Sequence, residues 1–251
     1  YVHKLLTGRR DQFRTLRSFG GLAGFPKPSE SDTDAFVAGH ASTAVSTALG
    51  MARARTLLKQ DYHVIALMGD GAMTGGVAYE GMNDAGESNE PLIVILNDNG
   101  MSITPNVGGI AKHLGLLRTR PGYFRLKKAY RTVTCKLPGG KAVYRMTHRL
   151  KERWKRMLLG CTLFEEMGFE YYGPVDGHDL RRLEYMLRLV KDCKRPVLLH
   201  VITQKGRGYR PAELNPDVFH GIGSFDPADG HAQLTSHLPT FSDTFGSTLC
   251  A

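Results

Sequence analysis

The chain has 251 residues, 41% of them hydrophobic, which is enough to bury a full core as one large domain or two small ones. No apolar run is long enough to span a membrane, there is no signal-peptide pattern, and the four cysteines include no CxxC pair, as in a cytoplasmic protein with reduced thiols. The formal net charge of +9 is local, because residues 118–156 hold 14 Lys/Arg against a single acid, Glu152.

The first predicted elements are a short mixed segment, a loop and a helix. Residues 19–30 are rich in Gly and Pro, which predicts a loop. Gly39–Thr43 opens a helix that runs to about Lys59, with Ser42 or Thr43 as its N-cap. The small residues of this helix indicate close packing against a sheet.

Two short apolar runs, His63–Met68 and Pro91–Leu96, predict buried strands of a parallel sheet. Residues 74–87 lie between them, are rich in Gly and Ala and are long enough for a helix, which completes a strand–helix–strand unit. Polar residues follow both strands, with Asp70 after the first and Asn99 after the second. Open α/β sheets bind ligands at the carboxyl ends of their strands, so we expect the functional residues at this edge.

Asp70 and Asn99 are 29 positions apart in the sequence, and neighbouring parallel strands would bring them side by side. A carboxylate and an amide oxygen are hard ligands that suit Mg²⁺, which prefers about six oxygens and usually takes some of them from a phosphate. Gly69 and Gly71 let the backbone pass close to a bulky anion. The helix after Ala72 would direct its N-terminal N–H groups at that anion. The pattern predicts a magnesium–diphosphate site.

A lone GDG sequence would favour an ordinary strand–turn–helix corner with a capping Asp. Here GDG and NDN occur at the stated spacing, each directly after an apolar strand, and this combination favours the site. The turn-rich segment Ile103–Gly109 lies just beyond it.

The basic segment, residues 118–156, is broken by Pro121-Gly122 and by residues 137–140. These breaks predict a long excursion at about residues 104–160, and we expect residues 118–156 to be mobile without substrate. The charge has three readings: contact with nucleic-acid phosphates, a solvated loop and helix face, or attraction of phosphorylated substrates to the site. No aromatic platform or finger motif accompanies it, which favours the solvated reading and no nucleic-acid partner.

Regular structure is predicted to return near residue 162. Asp179 is expected to cap a helix, and Gly206–Tyr209 follows a buried strand at the ligand edge of the sheet. Residues 211–239 are rich in Pro, Gly, Asp and His and predict a linker, and we place the domain boundary between residues 1–225 and 226–251. Leu163–Met167 is predicted as a short helix and Phe169–Tyr172 as a strand. Gly173–Asp179 is predicted as a turn. A helix from Asp179 to about Lys191 and a buried strand at Pro196–Thr203 follow it.

These motifs together resemble those of thiamine-diphosphate enzymes. GDG followed about 30 residues later by Asn resembles the cofactor motif of transketolase-like enzymes. The closer resemblance, over the whole chain, is to the 1-deoxy-D-xylulose-5-phosphate synthase family, since the flanking segments of transketolases and pyruvate dehydrogenases look different. The segments that carry it are YVHKLLTGR, GGLAGFP, ES before AGHAST, GDGAMTGGVAYEGMNDAG, LNDNGMSITPNVGG, TLFEEMGFEYYGPVDGHD and TQKGRGYRPAE.

The resemblance implies an α/β thiamine-diphosphate-binding fold, an open parallel sheet with helices on both faces. It implies thiamine diphosphate and Mg²⁺ as cofactors. The implied activity is decarboxylation of pyruvate and condensation with D-glyceraldehyde 3-phosphate to give 1-deoxy-D-xylulose 5-phosphate and CO₂. This is the first step of the non-mevalonate isoprenoid pathway and also feeds thiamine and pyridoxal phosphate synthesis. A cytoplasmic homodimer without a membrane partner is implied as well.

The resemblance also implies roles for individual residues. Ala41 stands where the family has Ser, so one hydroxyl contact is missing unless the family contact is through backbone or Ser42 substitutes. His178 matches the DGHD turn, where a helix-start residue bonded to backbone and a catalytic residue are equally favoured. The implied metal ligands are Asp70, Asn99 and the Met101 carbonyl. The implied cofactor contacts are His3, Gly39, His40, Ala41, Gly71, Ala72, Asn99 and Tyr209. The implied proton shuttles or substrate donors are His3, His40 and His220.

One part that the family requires has no match here, namely the glutamate that bonds the aminopyrimidine ring and activates the cofactor. In the family it lies on a second, pyrimidine-binding domain. We therefore expect this chain to be a fragment that supplies the diphosphate half of a site and is inactive alone. Three different functions remain open: a transketolase or pyruvate dehydrogenase-type component with another acceptor, a nucleic-acid-binding module, and a non-catalytic nucleotide-binding protein.

Overall fold

Contacts within the chain divide it into two compact units, Tyr1–Thr203 and Gln204–Ala251. In the part of the chain that the structure describes, no helix is long and apolar enough to cross a membrane. The computed structural model describes residues 1–118, 163–223, 225–231 and 239–250.

The first unit is built on a parallel sheet. Its strands are β1 (Ile65–Gly69), β2 (Ile93–Asp98), β3 (Glu170–Asp176) and β4 (Val197–Ile202). They lie in the order β1–β2–β4–β3, and every neighbouring pair is parallel. The two central strands, β2 and β4, are almost continuously apolar, as is typical of strands buried on both faces. The predicted parallel sheet is confirmed, but β1 is not the fully buried strand that was expected, because it lies at the sheet edge and exposes Ile65 and Leu67.

Helices connect and cover the strands. In the described residues the α-helices are α1 (Val2–Leu6), α2 (Ala44–Leu57), α3 (Gly76–Ser88), α4 (Gly109–Arg118), α5 (Leu163–Glu166), α6 (Leu180–Val190), α7 (Arg210–Leu214) and α8 (Phe241–Leu249). Short 3₁₀ helices occupy Arg10–Thr15, Ala72–Thr74 and Val218–His220. The helix predicted after Asp179 is confirmed, and the Asp179 carboxylate caps it by accepting from Arg182 N at 3.1 Å.

Helices lie on both faces of the sheet. On one face the main core joins α2 and α3 to alternate residues of β1 and β2, such as Met68 and Leu96. On the other face α6 packs on β3 and β4, where Leu183 contacts the cluster around Leu199. The two-sided α/β architecture expected from the sequence is therefore confirmed. Where α2 crosses α3, a Cβ on Gly81 would lie 2.5 Å from the Ser46 hydroxyl oxygen, so only glycine permits this approach.

The N-cap of α2 is at one of the two predicted positions, but the expected side-chain capping bond is not made. Thr43 occupies the N-cap position, but its side chain makes no capping hydrogen bond and donates instead to the His40 carbonyl at 3.1 Å. Ser42 adopts a left-handed conformation with φ of 70° and donates its hydroxyl to the Ala72 carbonyl at 2.6 Å. The hydroxyl that was expected to cap the helix therefore ties this loop to the turn after β1.

β3 is longer than the predicted strand and contains an irregularity. It continues through residues 173–176, which the sequence predicts as turn, with a register shift between Tyr172 and Val175. Gly173 has a φ of +121°, and a Cβ there would lie 2.4 Å from the His200 carbonyl oxygen. The strand continues because glycine at this position allows β3 and β4 to pass closely.

Part of the predicted excursion is helical. α4 buries Leu114 and Leu117, which join the main core. The sequence did not predict this helix. The rest of the excursion, residues 119–160, lies outside the described residues. So does the basic segment apart from Arg118, and its mobility stays a prediction.

The N-terminal segment holds a group of charges, which we call the N-terminal charge cluster: the buried Lys4, Arg9 and Asp34, and the partly buried Glu30. Both Arg9 terminal nitrogens donate to Asp34, at 2.8 and 2.7 Å, and Lys4 donates to Glu30. Asp34 also accepts from the Lys27 backbone N–H at 2.7 Å. The Arg9 hydrogen bonds hold the pKa of Asp34 well below its usual range. Two cations and two anions thus neutralise one another inside a segment with little regular structure.

The second unit contains α7, α8 and an aromatic group. Tyr209 and Phe219 have ring centroids 5.7 Å apart, and Phe225 lies 5.3 Å from Phe219. The Tyr209 hydroxyl donates to the Pro227 carbonyl at 3.0 Å. α8 begins with a capping box between Thr240 and Asp243.

Candidate functional site

The carboxyl ends of β1 and β2 meet at one edge of the sheet. The two strands pair in register up to Gly69 opposite Asn97. The backbone N–H of Asp70 then donates to the Asn97 carbonyl at 3.1 Å. This confirms the expectation that the GDG and NDN turns lie side by side.

Asp70 links the two turns. Its side chain is buried, with 1% of the residue exposed. One oxygen, Oδ1, accepts from the Gly71 N–H at 3.0 Å, and the other, Oδ2, accepts from the Gly100 N–H at 2.7 Å. Each carboxylate oxygen has lone pairs beyond these bonds, so the arrangement orients Asp70 without exhausting its capacity as a ligand.

The turn after β1 is a 3₁₀ helix, Ala72–Thr74, and α3 begins only at Gly76. The α-helix therefore starts later than the sequence predicted. A Cβ on Gly71 would lie 2.9 Å from the Ser102 Cβ, so glycine lets the second turn pack directly on the first. A Cβ on Gly75 would lie 2.3 Å from the Ser42 hydroxyl oxygen. The glycines serve the close approach of three loops at this edge.

A second carboxylate, Asp98, lies behind the first and was missed from the sequence. Asp98 is fully buried. The burial of Asp70 and, after it, the neighbouring Asp98 raise the pKa of Asp70 to about 6. His200 Nε2 lies 2.8 Å from Asp98 Oδ2, and the Tyr171 hydroxyl lies 2.7 Å from His200 Nδ1. We call Tyr171, His200 and Asp98 the buried relay. The signal that could have revealed it is the polar His200 within the apolar run VLLHVI.

The donors at this edge fit a magnesium ion. A raised pKa at Asp70 means that its surroundings favour the neutral carboxyl, and a cation would restore the charged form. Asn99 Oδ1 accepts from the Met101 N–H at 2.9 Å, and Met101 pairs with Pro105, so both predicted partners belong to one ordered turn. Residues 1–118 and the described parts beyond 162 contain no cluster of three or more His, Cys, Asp or Glu arranged for a metal. A site with one carboxylate, an amide and backbone oxygen suits Mg²⁺ that completes its shell with phosphate and water.

The loop before α2 carries three of the predicted cofactor contacts. Gly39, His40 and Ala41 are exposed there, and Ser42 joins the loop to the turn after β1 through its bond to Ala72. The Ser42 hydroxyl therefore donates to backbone. His3 lies elsewhere in the first unit, half exposed, with Nε2 2.9 Å from Asp34 Oδ1.

The remaining predicted residues lie away from these strand ends in the sequence. Tyr209 and His220 belong to the second unit, where burial raises the pKa of Tyr209 and His220 Nδ1 lies 3.1 Å from Lys205 Nζ. His178 is exposed just after β3, and its backbone N–H donates to Asp176 at 2.9 Å. The roles of all the site residues remain predictions.

Comparison with known proteins decides the family. Residues 1–203 match the family model described as 1-deoxy-D-xylulose-5-phosphate synthase. The chain belongs to the 1-deoxy-D-xylulose-5-phosphate synthase family. The resemblance identified from the sequence motifs is confirmed.

Relatives named 1-deoxy-D-xylulose-5-phosphate synthase match almost the whole chain. The protein from Pelotomaculum thermopropionicum is 53% identical over 249 residues, which is 99% of this chain and 39% of that protein. The protein from Syntrophomonas wolfei is 50% identical over 247 residues, 98% of this chain and 39% of that protein. The chain thus spans about two fifths of the length of these curated relatives.

A solved structure supports the fold. Transketolase from Leishmania mexicana has a TM-score of 0.52 and 19% sequence identity, over 80% of this chain and 26% of that chain. At this identity the likeness shows the fold alone, namely that this chain and the transketolase have similar architectures.

Proposed function

We propose that the protein of which this chain forms part is a thiamine-diphosphate-dependent transferase, 1-deoxy-D-xylulose-5-phosphate synthase. It would decarboxylate pyruvate and condense the remaining two carbons with D-glyceraldehyde 3-phosphate, giving 1-deoxy-D-xylulose 5-phosphate and CO₂. This is the first step of the non-mevalonate isoprenoid pathway, and it feeds thiamine and pyridoxal phosphate synthesis. The observation that carries the proposal is the family match over residues 1–203, because the GDG and NDN turns that meet at the sheet edge lie inside it.

The first part of the proposal concerns the metal and the diphosphate. Asp70, Asn99 and the Met101 carbonyl would hold Mg²⁺, and the backbone of Gly71 and Ala72, with Asn99, would contact the diphosphate. Support comes from the buried Asp70 carboxylate that bonds both turns at once. When bound, thiamine diphosphate supplies an electron sink for decarboxylation.

The second part concerns proton transfer and substrate contact. His3, His40 and His220 would move protons or donate to substrate, and Gly39, Ala41 and Tyr209 would contact the cofactor. An imidazole suits these roles because its unperturbed pKa is about 6.5. The bond of His3 to Asp34 would hold its ring in a fixed orientation.

The third part concerns the assembly. The family glutamate that activates the cofactor has no match in these 251 residues, so the isolated chain would be inactive. We propose that the full-length protein is a cytoplasmic homodimer that uses neither nucleic acid nor a membrane.

A chimera tests the function. Residues of this chain replace the matching 249 residues of the Pelotomaculum thermopropionicum relative, and a coupled assay follows 1-deoxy-D-xylulose 5-phosphate formation with Mg²⁺ and thiamine diphosphate. We expect turnover from the chimera and none from the isolated chain. A chimera that is folded but uses only another acceptor would favour a transketolase-type activity. Turnover by the isolated chain would show that the activating acid lies within it.

A binding comparison tests whether the chain instead binds nucleotides or nucleic acid. Thermal shifts are measured on the isolated chain with magnesium–thiamine diphosphate, with ATP and with duplex DNA. We expect stabilisation by the first ligand alone. Stabilisation by ATP would favour a nucleotide-binding protein, and stabilisation by DNA would favour a nucleic-acid-binding module.

A further inference from the structure

The buried relay is a row of polar side chains that crosses the sheet behind the candidate metal site. Tyr171 on β3, His200 on β4 and Asp98 at the end of β2 have 3% or less of their surfaces exposed. The hydroxyl of Tyr171 is 2.7 Å from His200 Nδ1, and His200 Nε2 is 2.8 Å from Asp98 Oδ2. Burial of three such groups in an apolar core is costly unless each is hydrogen-bonded, and here they bond one another.

The direction of the hydrogen bonds in this row is assigned from Asp98. An ionised Asp98 carboxylate can only accept, so the imidazole carries its hydrogen on Nε2 and donates it to Asp98 Oδ2. Nδ1 is then the acceptor, and the Tyr171 hydroxyl, which keeps its hydrogen because burial raises the pKa of the phenol, is assigned as the donor to it. Tyr171 therefore stabilises this tautomer of His200, and His200 occupies one defined oxygen of Asp98.

The other oxygen of Asp98 lies at the turn that contains Asn99 and Gly100. Asp98 Oδ1 accepts from the Gly100 N–H at 3.2 Å, and the same N–H donates to Asp70 Oδ2 at 2.7 Å. One backbone hydrogen is thus shared by the two carboxylates. Asn99 lies between Asp98 and Gly100, so the orientation of Asp98 fixes the turn that presents the Asn99 amide.

We propose that Asp98 is a positioning residue of the metal site, and that Tyr171 and His200 set the orientation of its carboxylate. Asp98 acts through the Gly100 N–H and through Asp70, and it brings a second negative charge close to the bound cation. This inference rests on the metal site of the proposed function. It extends that site across β4 to β3, to residues that touch neither metal nor cofactor.

Substitutions at His200 separate positioning from simple core packing. His200→Leu fills the space and removes the donor to Asp98. His200→Gln places an amide nitrogen near the former Nε2 and keeps a donor. Tyr171→Phe removes only the outer hydroxyl. Thr203→Val is the matched control, because Thr203 donates to Asn97 Oδ1 at 2.7 Å at the same edge but outside the relay.

The experiment uses the full-length protein and measures Mn²⁺ affinity by electron paramagnetic resonance of the free ion, with thiamine diphosphate present. The unfolding temperature of the metal-free protein is recorded for every variant. Loss of a residue that orients a metal ligand weakens metal binding by about 10- to 100-fold. We expect that loss for Asp98→Asn and His200→Leu, a smaller loss for Tyr171→Phe, and recovery to within about threefold of wild type for His200→Gln.

Several results would overturn the inference. If His200→Gln weakens Mn²⁺ binding as much as His200→Leu does, then core packing, and not the hydrogen-bond donor to Asp98, determines the Mn²⁺ affinity. Thr203→Val producing the same loss would show that any hydrogen bond at this edge has the effect. Unchanged affinity in Asp98→Asn would remove Asp98 from the site. If wild type itself fails to bind Mn²⁺ with thiamine diphosphate, the proposed function fails together with the inference, whereas normal wild-type binding with indifferent variants overturns the inference alone.

Discussion

Two buried carboxylates in this protein respond to burial in opposite ways. Asp34, in the N-terminal charge cluster, has its pKa held below the usual range by the Arg9 guanidinium. Asp70, at the sheet edge, has its pKa raised to about 6 by burial and by Asp98. Both residues are at least 97% buried, so burial alone does not separate them.

The difference lies in what the chain places beside each carboxylate. Asp34 meets Arg9, and Glu30 meets Lys4, so the cluster contains its own countercharges. Asp70 meets a second carboxylate and backbone N–H groups. A carboxylate that is held in place but disfavoured as an anion is typical of a functional position, whereas a neutralised one is typical of a structural position. The comparison supports the assignment of Asp70 to a cation site.

The largest expected effect is that of Asp70→Asn on metal binding. The amide keeps the shape and removes the charge that Mg²⁺ requires, so we expect no measurable binding of Mn²⁺ or of magnesium–thiamine diphosphate by the full-length protein. The unfolding midpoint of the metal-free protein should stay the same or rise, because a like-charge contact is lost. Metal affinity close to wild type in this variant would contradict the assignment of Asp70 to a cation site. Asp84→Asn is the control, since Asp84 pairs with Arg53 on the surface.

Asp34→Asn should have the next largest effect, and on stability instead. The substitution leaves Arg9 without its bidentate partner in a buried setting, which costs about 3 kcal/mol when one member of a buried ion pair is removed. Urea unfolding measures it. The measurement is made without thiamine diphosphate, because Asp34 also bonds His3, a proposed cofactor contact. Unchanged stability in Asp34→Asn would contradict the buried ion pair.

The pH dependence of stability should show both carboxylates with opposite signs in metal-free protein. The lowered pKa of Asp34 contributes stability at neutral pH that is lost as the pH falls through the acid range. The pKa of Asp70, raised to about 6 from 3.8, contributes stability at low pH that is lost as the pH rises from about 4 to 6. Urea midpoints across pH 3–7 test this. We expect the decline between pH 4 and 6 to disappear in Asp70→Asn, and its persistence there would contradict the assignment.

The smallest effect is expected for a neutral contact at the same edge. Ser42→Ala removes the hydroxyl that bonds the Ala72 carbonyl, a contact worth about 1 kcal/mol. Thiamine diphosphate affinity should fall by at most about fivefold, which is reached if this whole energy serves to hold the loop for binding. Thr43→Ala, which removes an exposed bond to the neighbouring His40 carbonyl, serves as the comparison and should bind nearly as wild type. Equal losses in the two variants would show that the tie to Ala72 has no special role.

The sequence alone determined most of the strands and helices and the position of Asp70, although it did not predict α4. Apolar runs predicted β1, β2 and β4; β2 and β4 are central strands, whereas β1 is an edge strand that exposes Ile65 and Leu67. The convergence of Asp70 and Asn99 followed from the rule that parallel strands end at one edge, and the structure places the two turns there. The family could also be recognised from the sequence, since each of its motifs is one continuous stretch of the chain.

Only the tertiary structure decided what surrounds each charge. His200 reaches Asp98 across 102 positions because β4 lies beside β2, an order that no local pattern specifies. Arg9 reaches Asp34 from a loop without periodicity. Periodicity reports which face of an element is buried, whereas a charge is stabilised or destabilised by neighbours within a few ångströms that come from distant parts of the chain. Two aspartates that look alike in the sequence therefore acquire opposite pKa shifts from strand order and loop packing.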